Sequence, residues 1–488
     1  MHADITRDTF DPARDFTRVL MQQGRVPLDA DLNEQASIHL HYLRALATDL
    51  IGPHGGPRDD LGFAITWDEA NRSLTVGRGR YYVNGVLCEN SLQRDLPLWR
   101  AVRTEPGKTT QAEKEQEAER IAHSPFMLYL EVWERLVTAY HDPLLREAAL
   151  GGPDTAARAQ VVWRVRAAGL AGEKLPGGEG EWTCGSAWQI VKGRLGVGAQ
   201  RGGLEARAGA AKTDTGNPCV LPPDARFRGM ENQLYRVEVH TGGQVLPGLG
   251  GGYQGKLENA VVGYQNLAPG TGTEAPGVTF KWSRENGSVV FAIRSLQGNE
   301  VEVETLGLDP RLDLAPGDWV EITDDERAAD GRGILAQVAD VDRDGLRVML
   351  EDADGDYPEY DDRHANLHPL LRRWDQSDPV IMRGSDGGGA TKGTLQGGAV
   401  RAVPGWIELE AGIIVRFQAG RTYRAGDYWL VPARVATGDV EWPREPDGDP
   451  LPLPARRDDR WYAPLAVVLD RTRTTDCRRK IIALTEPA

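Results

Sequence analysis

A mainly β protein with a short N-terminal helical segment, built from several small antiparallel sandwich- or barrel-like units, is the fold class that three observations predict. Short runs of alternating apolar and polar residues recur from Phe63 into the C-terminal third. Turn formers separate them, and 57 Gly with 30 Pro is above the usual share. The first fifty residues break the pattern most strongly, with spacing that belongs to a helix.

An extended arm, Phe16 to Leu28, leads into that helix. Asp31 to Glu34 has capping-box spacing with an acid in place of Ser or Thr, and Gly52-Pro53 is a stop signal. Between them Ala36, Leu40, Leu43, Ala47 and Leu50 recur every three or four residues. They form one apolar seam on a helix of roughly 20 residues, about 30 Å long. A lone helix must bury such a stripe, so the seam is the candidate interaction site.

Strands follow over Phe63–Trp67, Ser73–Val76 and Arg80–Val83, and Asn84-Gly85 is a type I′ turn signal leading to Val86–Cys88. Residues 107 to 123 read as a polar helix inserted before the strong strand that starts at Phe126. Residues 168 to 228, rich in Gly and Ala, read as a long surface excursion. Val278–Glu285 and Ser288–Ile293, across Asn286-Gly287, read as a hairpin. Further alternating runs start at Val301, Trp319, Ile334, Leu346, Trp406, Ile413, Tyr428 and Tyr462. Ala315–Ile322 echoes Arg424–Val431: each sets Gly-Asp ahead of an aromatic strand. The division these features suggest is consecutive. Residues 1–60 are arm and helix, 61–167 a β domain with an inserted polar helix, and 168–277 strands with a Gly/Ala-rich insert. Residues 278–380 and 381–488 are two further β domains.

Net charge is −15 and the pI about 5.2. That argues against nucleic acid, whose binding is driven by Lys and Arg neutralising phosphates, and against an anionic membrane surface. No basic-then-apolar leader opens the chain, and no apolar run reaches the ~18 residues a bilayer span needs. Manufacture in the cytoplasm without a signal peptide is the expectation. Cys88, Cys184, Cys219 and Cys477 lie far apart and read as free thiols; the one pairing considered closes Cys184 onto Cys219.

Motifs that carry chemistry are weak. Asp340, Asp342, Asp344, Gly345 and Glu351 match the calcium-loop positions, yet the flanking residues alternate as strands. A hairpin is therefore favoured over calcium, and no cofactor is expected. Gly250–Gly255 fits G-x-G-x-x-G without the strand and helix that phosphate binding needs. His364 and His368 have i, i+4 spacing but run into Pro369, which favours a surface turn over zinc. His39 and His41, two apart on the helix, face different ways. No G-x-S-x-G, H-E-x-x-H or Walker loop occurs, and the chain is expected not to be an enzyme. The rival reading is a carbohydrate-binding or carbohydrate-cleaving β-protein, with Trp282, Trp319 and Trp429 as stacking candidates.

The arm Arg18–Gln35 resembles the N-terminus of a family of uncharacterised proteins found among genes for phage tails and phage-tail-like contractile injection particles. Further similar pieces are Asp49–Gly55, Gly79–Gly85, Leu130–Arg135, Gly151–Thr155, Tyr235–His240, Phe280–Ser288 and Gly426–Arg434. The shorter Gln-x-Gly-Arg-Val and Leu-Asn-Glu-Gln patterns are similar to the start of tail-fibre and baseplate-attached proteins. The resemblance implies a structural component: a fibre, spike-associated or baseplate-peripheral protein anchored by its N-terminal segment. Its partners would be baseplate, spike, tube or sheath proteins and further copies of itself, with a trimer favoured. The assembled particle would be its location, inside the cell or after release. The resemblance carries no catalytic residues.

Overall fold

A computed structural model describes residues 1–102, 111–176, 180–196, 201–209, 227–245, 277–307, 309, 311–331, 333–383, 390–456, 459–470 and 473–482. The chain is mainly antiparallel β with a helix near the N-terminus. It forms two compact units interleaved along the sequence. One comprises Met1–Asp8, Thr138–Ala157 and Gln200–Arg457; the other comprises Thr9–Val137, Arg158–Ala199 and Asp458–Ala488. The sequence suggested consecutive domains. Interleaving arises because strand Trp461–Val468 pairs with Phe126–Val137, more than three hundred residues upstream.

The unit that contains Phe126–Val137 is organised around that strand. It is the centre of a four-stranded sheet with Arg158–Gly169 on one side, Trp461–Val468 on the other, and Thr474–Asp476 at the edge. Both faces are covered. Phe126, Leu128, Leu130 and Val132 join one apolar core, whereas Met127 and Tyr129 join another. This alternation is the period-2 geometry of a strand, and burial on both faces explains its nearly continuous apolar run. The first core receives the hairpin Gly79–Val83/Val86–Asn90 and Ala118 and Ile121 of the polar helix Gln111–Ala122. Asn84 and Gly85 both have positive φ (49° and 76°), as the sequence-level turn signal requires.

The second core receives a helix, Cys184–Leu195, inside the segment expected to be a loop. Thr183 caps it by accepting from the Ser186 amide, and Gly196 ends it in the left-handed region. Cys184 is disulfide-bonded to Cys477. This corrects two expectations, free thiols and the Cys184–Cys219 pairing; Cys219 lies outside the described residues. Cys88 is a buried free thiol, pushed up to about 12 by burial. The same loop expectation also missed strand Gly203–Ala208. Its glycines reflect packing: a Cβ on Gly202 would lie 2.3 Å from the Tyr423 ring, and one on Gly203 2.6 Å from Gln418.

The other unit holds a closed six-stranded antiparallel barrel. Its strands run, in spatial order, Val290–Gln297, Glu300–Val303, Arg347–Glu351, Ile334–Asp342, Trp319–Thr323 and Leu370–Trp374. Closure removes the sheet edges that would otherwise invite pairing. A five-stranded sheet centred on Gln233–Thr241 and a six-stranded sheet containing Ile413–Phe417 share one apolar core.

The expected hairpin over Val278–Ile293 is absent. Thr279–Ser283 pairs with Gln233–Thr241 and Val400–Arg401, whereas Val290–Gln297 belongs to the barrel. Both strands already have partners on each edge, so nothing is left for them to exchange. Asn286 and Gly287 keep the φ values of a I′ turn, but the turn leads from one sheet into another. The echo between Ala315–Ile322 and Arg424–Val431 is a shared turn. Gly317 and Gly426 have φ of 95° and 82°, and Asp318 and Asp427 each accept, at 2.9 Å, from the amide three residues back.

His54, just after the N-terminal helix, ties that helix to the sheet. Its strand His54–Gly55 pairs with Gly79–Val83, and its Nδ1 lies 2.9 Å from the Tyr81 hydroxyl. That hydroxyl accepts from the Arg479 amide, so its proton is directed at the imidazole. Burial first, then the nearby Arg479 charge, lowers the His54 pKa to about 4. Because the unfolded chain binds that proton near the ordinary histidine value of ~6.5, this contribution is complete above it and shrinks as pH falls towards 4. His54→Gln is expected to flatten the loss of stability between pH 6.5 and 4, removing on the order of 3 kcal/mol of pH dependence. Denaturant melts at stepped pH measure it, and an unchanged slope refutes the assignment.

Candidate docking surface

The N-terminal helix, α1, spans Asp29–Ile51. Its N-cap is Leu28, three residues ahead of the Asp31 cap that the sequence suggests. Asp31 is therefore not the cap but a first-turn acceptor for the Leu28 amide, at 3.3 Å. A first-turn carboxylate still satisfies an otherwise orphaned donor. Glu34, the expected partner in the capping box, instead accepts from the Thr9 hydroxyl at 2.7 Å. The Val19 amide donates to Gln35 Oε1 at 2.8 Å, and the rings of Phe10 and His41 lie 5.7 Å apart. The arm is thus laid back along its own helix. Gly52 ends α1 at φ 85°, as expected.

α1 has two unlike faces. Ala30 and Ile38 are its buried residues, and Arg44 forms a 2.7 Å ion pair with Glu134 while lying over the Trp461 ring. The helix backbone comes so close at Arg44 that a Cβ on Gly85 would sit 2.4 Å from its carbonyl oxygen. The other face is solvent-exposed. Of the sequence-named seam, Ala36, Leu40, Leu43 and Leu50 are exposed and Ala47 is half-buried. Leu43 and Leu50 retain 61% and 64% of their surface.

The sequence reading missed that this surface is wider than the seam. Leu32, Tyr42 and Leu46 stand exposed on α1, and Phe16, Leu20, Met21, Val26 and Leu28 on the arm. Eleven of the nineteen exposed large apolar side chains found among the described residues fall between Phe16 and Leu50. Scattered surface leucines are ordinary; a concentration of this kind marks an interaction surface. The signal was present in the arm as apolar residues without a strand or helix period, which period counting discards.

The remaining motifs resolve into structure. Ile334–Asp342 and Arg347–Glu351 form a hairpin, as favoured, with Asp342 opposite Arg347 and Glu351 opposite Gln337. The Asp342 carboxylate accepts from the Gly345 amide within the turn. His364 faces Asp361 at 2.9 Å and His368 faces Asp325 at 3.0 Å, so the two imidazoles have separate acidic partners in a surface turn. Trp282, Trp319 and Trp429 are all buried, which corrects their candidacy as sugar platforms. Gly250–Gly255 lies outside the described residues. A shallow depression of about 350 Å³ is lined by Arg416, Arg421, Glu205 and Gln418 among others, and there Glu205 pairs with Arg416. No helix among the described residues is long and apolar enough to cross a membrane.

Buried charge concentrates instead where the barrel meets the neighbouring sheet within one unit. Lys281 Nζ lies 2.5 Å from Glu321 and 3.4 Å from Glu238. Arg236 Nε lies 2.6 Å from Glu238, and His2 Nε2 2.9 Å from it. Burial works to raise the Glu238 pKa, but Arg236, Lys281 and His2 outweigh it and hold the carboxyl well below its usual range. Burial, then Arg236 and Arg372, lowers His2. Each charge has an opposite partner, as buried ions require. The arrangement reads as internal cross-bracing of the unit.

A family model described as "Family of unknown function (DUF6519)" matches residues 1–176 and 176–486. No curated protein and no solved structure matches the chain.

Proposed function

The chain belongs to the DUF6519 family, whose function is unknown, and we propose that it is a structural component of a phage-tail-like contractile injection particle, held there by its arm and first helix. It is a fibre, spike-associated or baseplate-peripheral protein that docks on other particle proteins. The observation that carries this reading is the apolar surface of residues 16–50, laid out on the arm and one helix face. Burying such a surface is what drives most protein association, at roughly 25 cal/mol per Å². The resemblance of Arg18–Gln35 to the leading segments of tail-associated proteins agrees with it. The acidic composition directs docking towards protein surfaces.

The test uses the arm, whose large apolar side chains are exposed. Leu20 and Val26 keep 70% and 80% of their surface. A full-length chain carrying Leu20→Asp, Met21→Asp and Val26→Asp is expected to keep its circular dichroism and melting temperature. It is expected to drop at least about tenfold in co-sedimentation with assembled particles, since each buried apolar side chain is worth roughly 1.5–3 kcal/mol. Unchanged incorporation of the triple variant overturns the reading.

A further inference from the structure

α1 follows a heptad. Asn33, Leu40 and Ala47 occupy a positions, and Asp29, Ala36, Leu43 and Leu50 occupy d positions. The fold uses the other side of the helix. Ala30, at e, and Ile38, at f, are buried, and Arg44, at e, reaches Glu134, Trp461 and the backbone beside Gly85. The exposed side carries a and d, widened at g by Leu32 and Leu46. A strict 3.5-residue repeat is not needed for packing on a sheet. It fits another helix with the same repeat, because a and d knobs enter holes made by the partner's equivalent positions.

Two features on the seam point to a second copy of this chain as that partner. Asp29 opens the d row in the first turn, but from Leu32 to Leu50 no a, d or g position carries Asp or Glu, although the chain's net charge is −15. Identical acidic proteins can therefore meet there without opposing like charges. Asn33 is the one polar residue among the a positions. An Asn at a single a position meets its own copy across a symmetric seam and sets the register.

We propose that the a/d/g face of α1 packs in parallel and in register against the same face of further copies of this chain. This rests on the docking reading only in treating the surface as an interface. Self-pairing through α1 brings several arms together alongside the paired helices, where they dock together, and multivalency strengthens attachment without new contacts.

The experiment places single cysteines in the full chain, with Cys88→Ala and Cys219→Ser removing background thiols. Leu43→Cys, at d, faces its own copy; Ala45→Cys, at f, does not. Oxidation is expected to convert the Leu43→Cys chain to covalent dimer at least tenfold faster than the Ala45→Cys chain. Sedimentation of the unaltered protein is expected to give a multiple of 53.5 kDa. Leu43→Asp with Leu50→Asp is expected to return it to one chain's mass with unchanged circular dichroism. A single-chain mass at all concentrations, or equal cross-linking at both positions, overturns self-pairing. If the unaltered monomer nevertheless joins particles, self-pairing falls and docking stands. An oligomer that ignores particles sinks docking and leaves self-pairing intact.

Discussion

Glu321→Gln is expected to destabilise its unit by about 3–5 kcal/mol, the usual cost of leaving a buried charge without its partner. Glu321 accepts from Lys281 Nζ at 2.5 Å and from Trp374 Nε1 at 3.0 Å. Lys281 lies over the Trp374 ring, 4.5 Å from its centre, and keeps only 4% of its side-chain surface. Neutralising Glu321 leaves that ammonium with Glu238 alone, at 3.4 Å, and Glu238 already serves Arg236 and His2. Lys281→Met removes the ammonium, so the double variant Lys281→Met/Glu321→Gln is expected to recover much of the loss. The coupling between the two sites, read from denaturant midpoints of all four proteins, separates an ion pair from simple packing. Additive effects refute the pairing.

The second large effect concerns the Cys184–Cys477 disulfide. Cys477→Ser is expected to cost about 3–5 kcal/mol, because the bond joins residues 293 apart and restricts the unfolded chain. The bond fastens the strand region Thr474–Asp476 to helix Cys184–Leu195 over the core of Met127, Tyr129, Ala187 and Val191. The loss belongs to the unit that contains them, so one of two unfolding transitions is expected to move and the other to stay. Thiol titration of the denatured, unreduced protein provides an independent check: two of its four cysteines are expected to be unreactive. Four reactive thiols rule the bond out.

The elements readable from sequence were those specified locally. Asn84-Gly85 demands positive φ at two consecutive residues, and only one turn type answers. The hairpin Ile334–Glu351 outweighed its calcium-loop match because alternation on both sides reflects strand geometry. The α1 seam was legible because residues three and four apart share a helix face whatever lies beyond. Elements that escaped were those whose signal is a distant neighbour. Gly202 and Gly203 resemble loop residues until Tyr423 and Gln418 are seen against them. Asn286-Gly287 has the chemistry of a hairpin turn, yet its flanking strands pair with distant strands in two different sheets. The arm's apolar residues have no period to count, so the width of the candidate surface emerged only from exposure.

By itself, the sequence determined the fold class, the leading helix and its apolar stripe, and the turns, because backbone sterics and side-chain periodicity act over a few residues. The tertiary structure alone decided which strands pair, which cysteines bond, how the two units interleave, and which side of α1 faces solvent. Those choices depend on contacts between segments hundreds of residues apart. Many alternative pairings satisfy the same local pattern, and only the burial and hydrogen bonding of the whole unit choose among them.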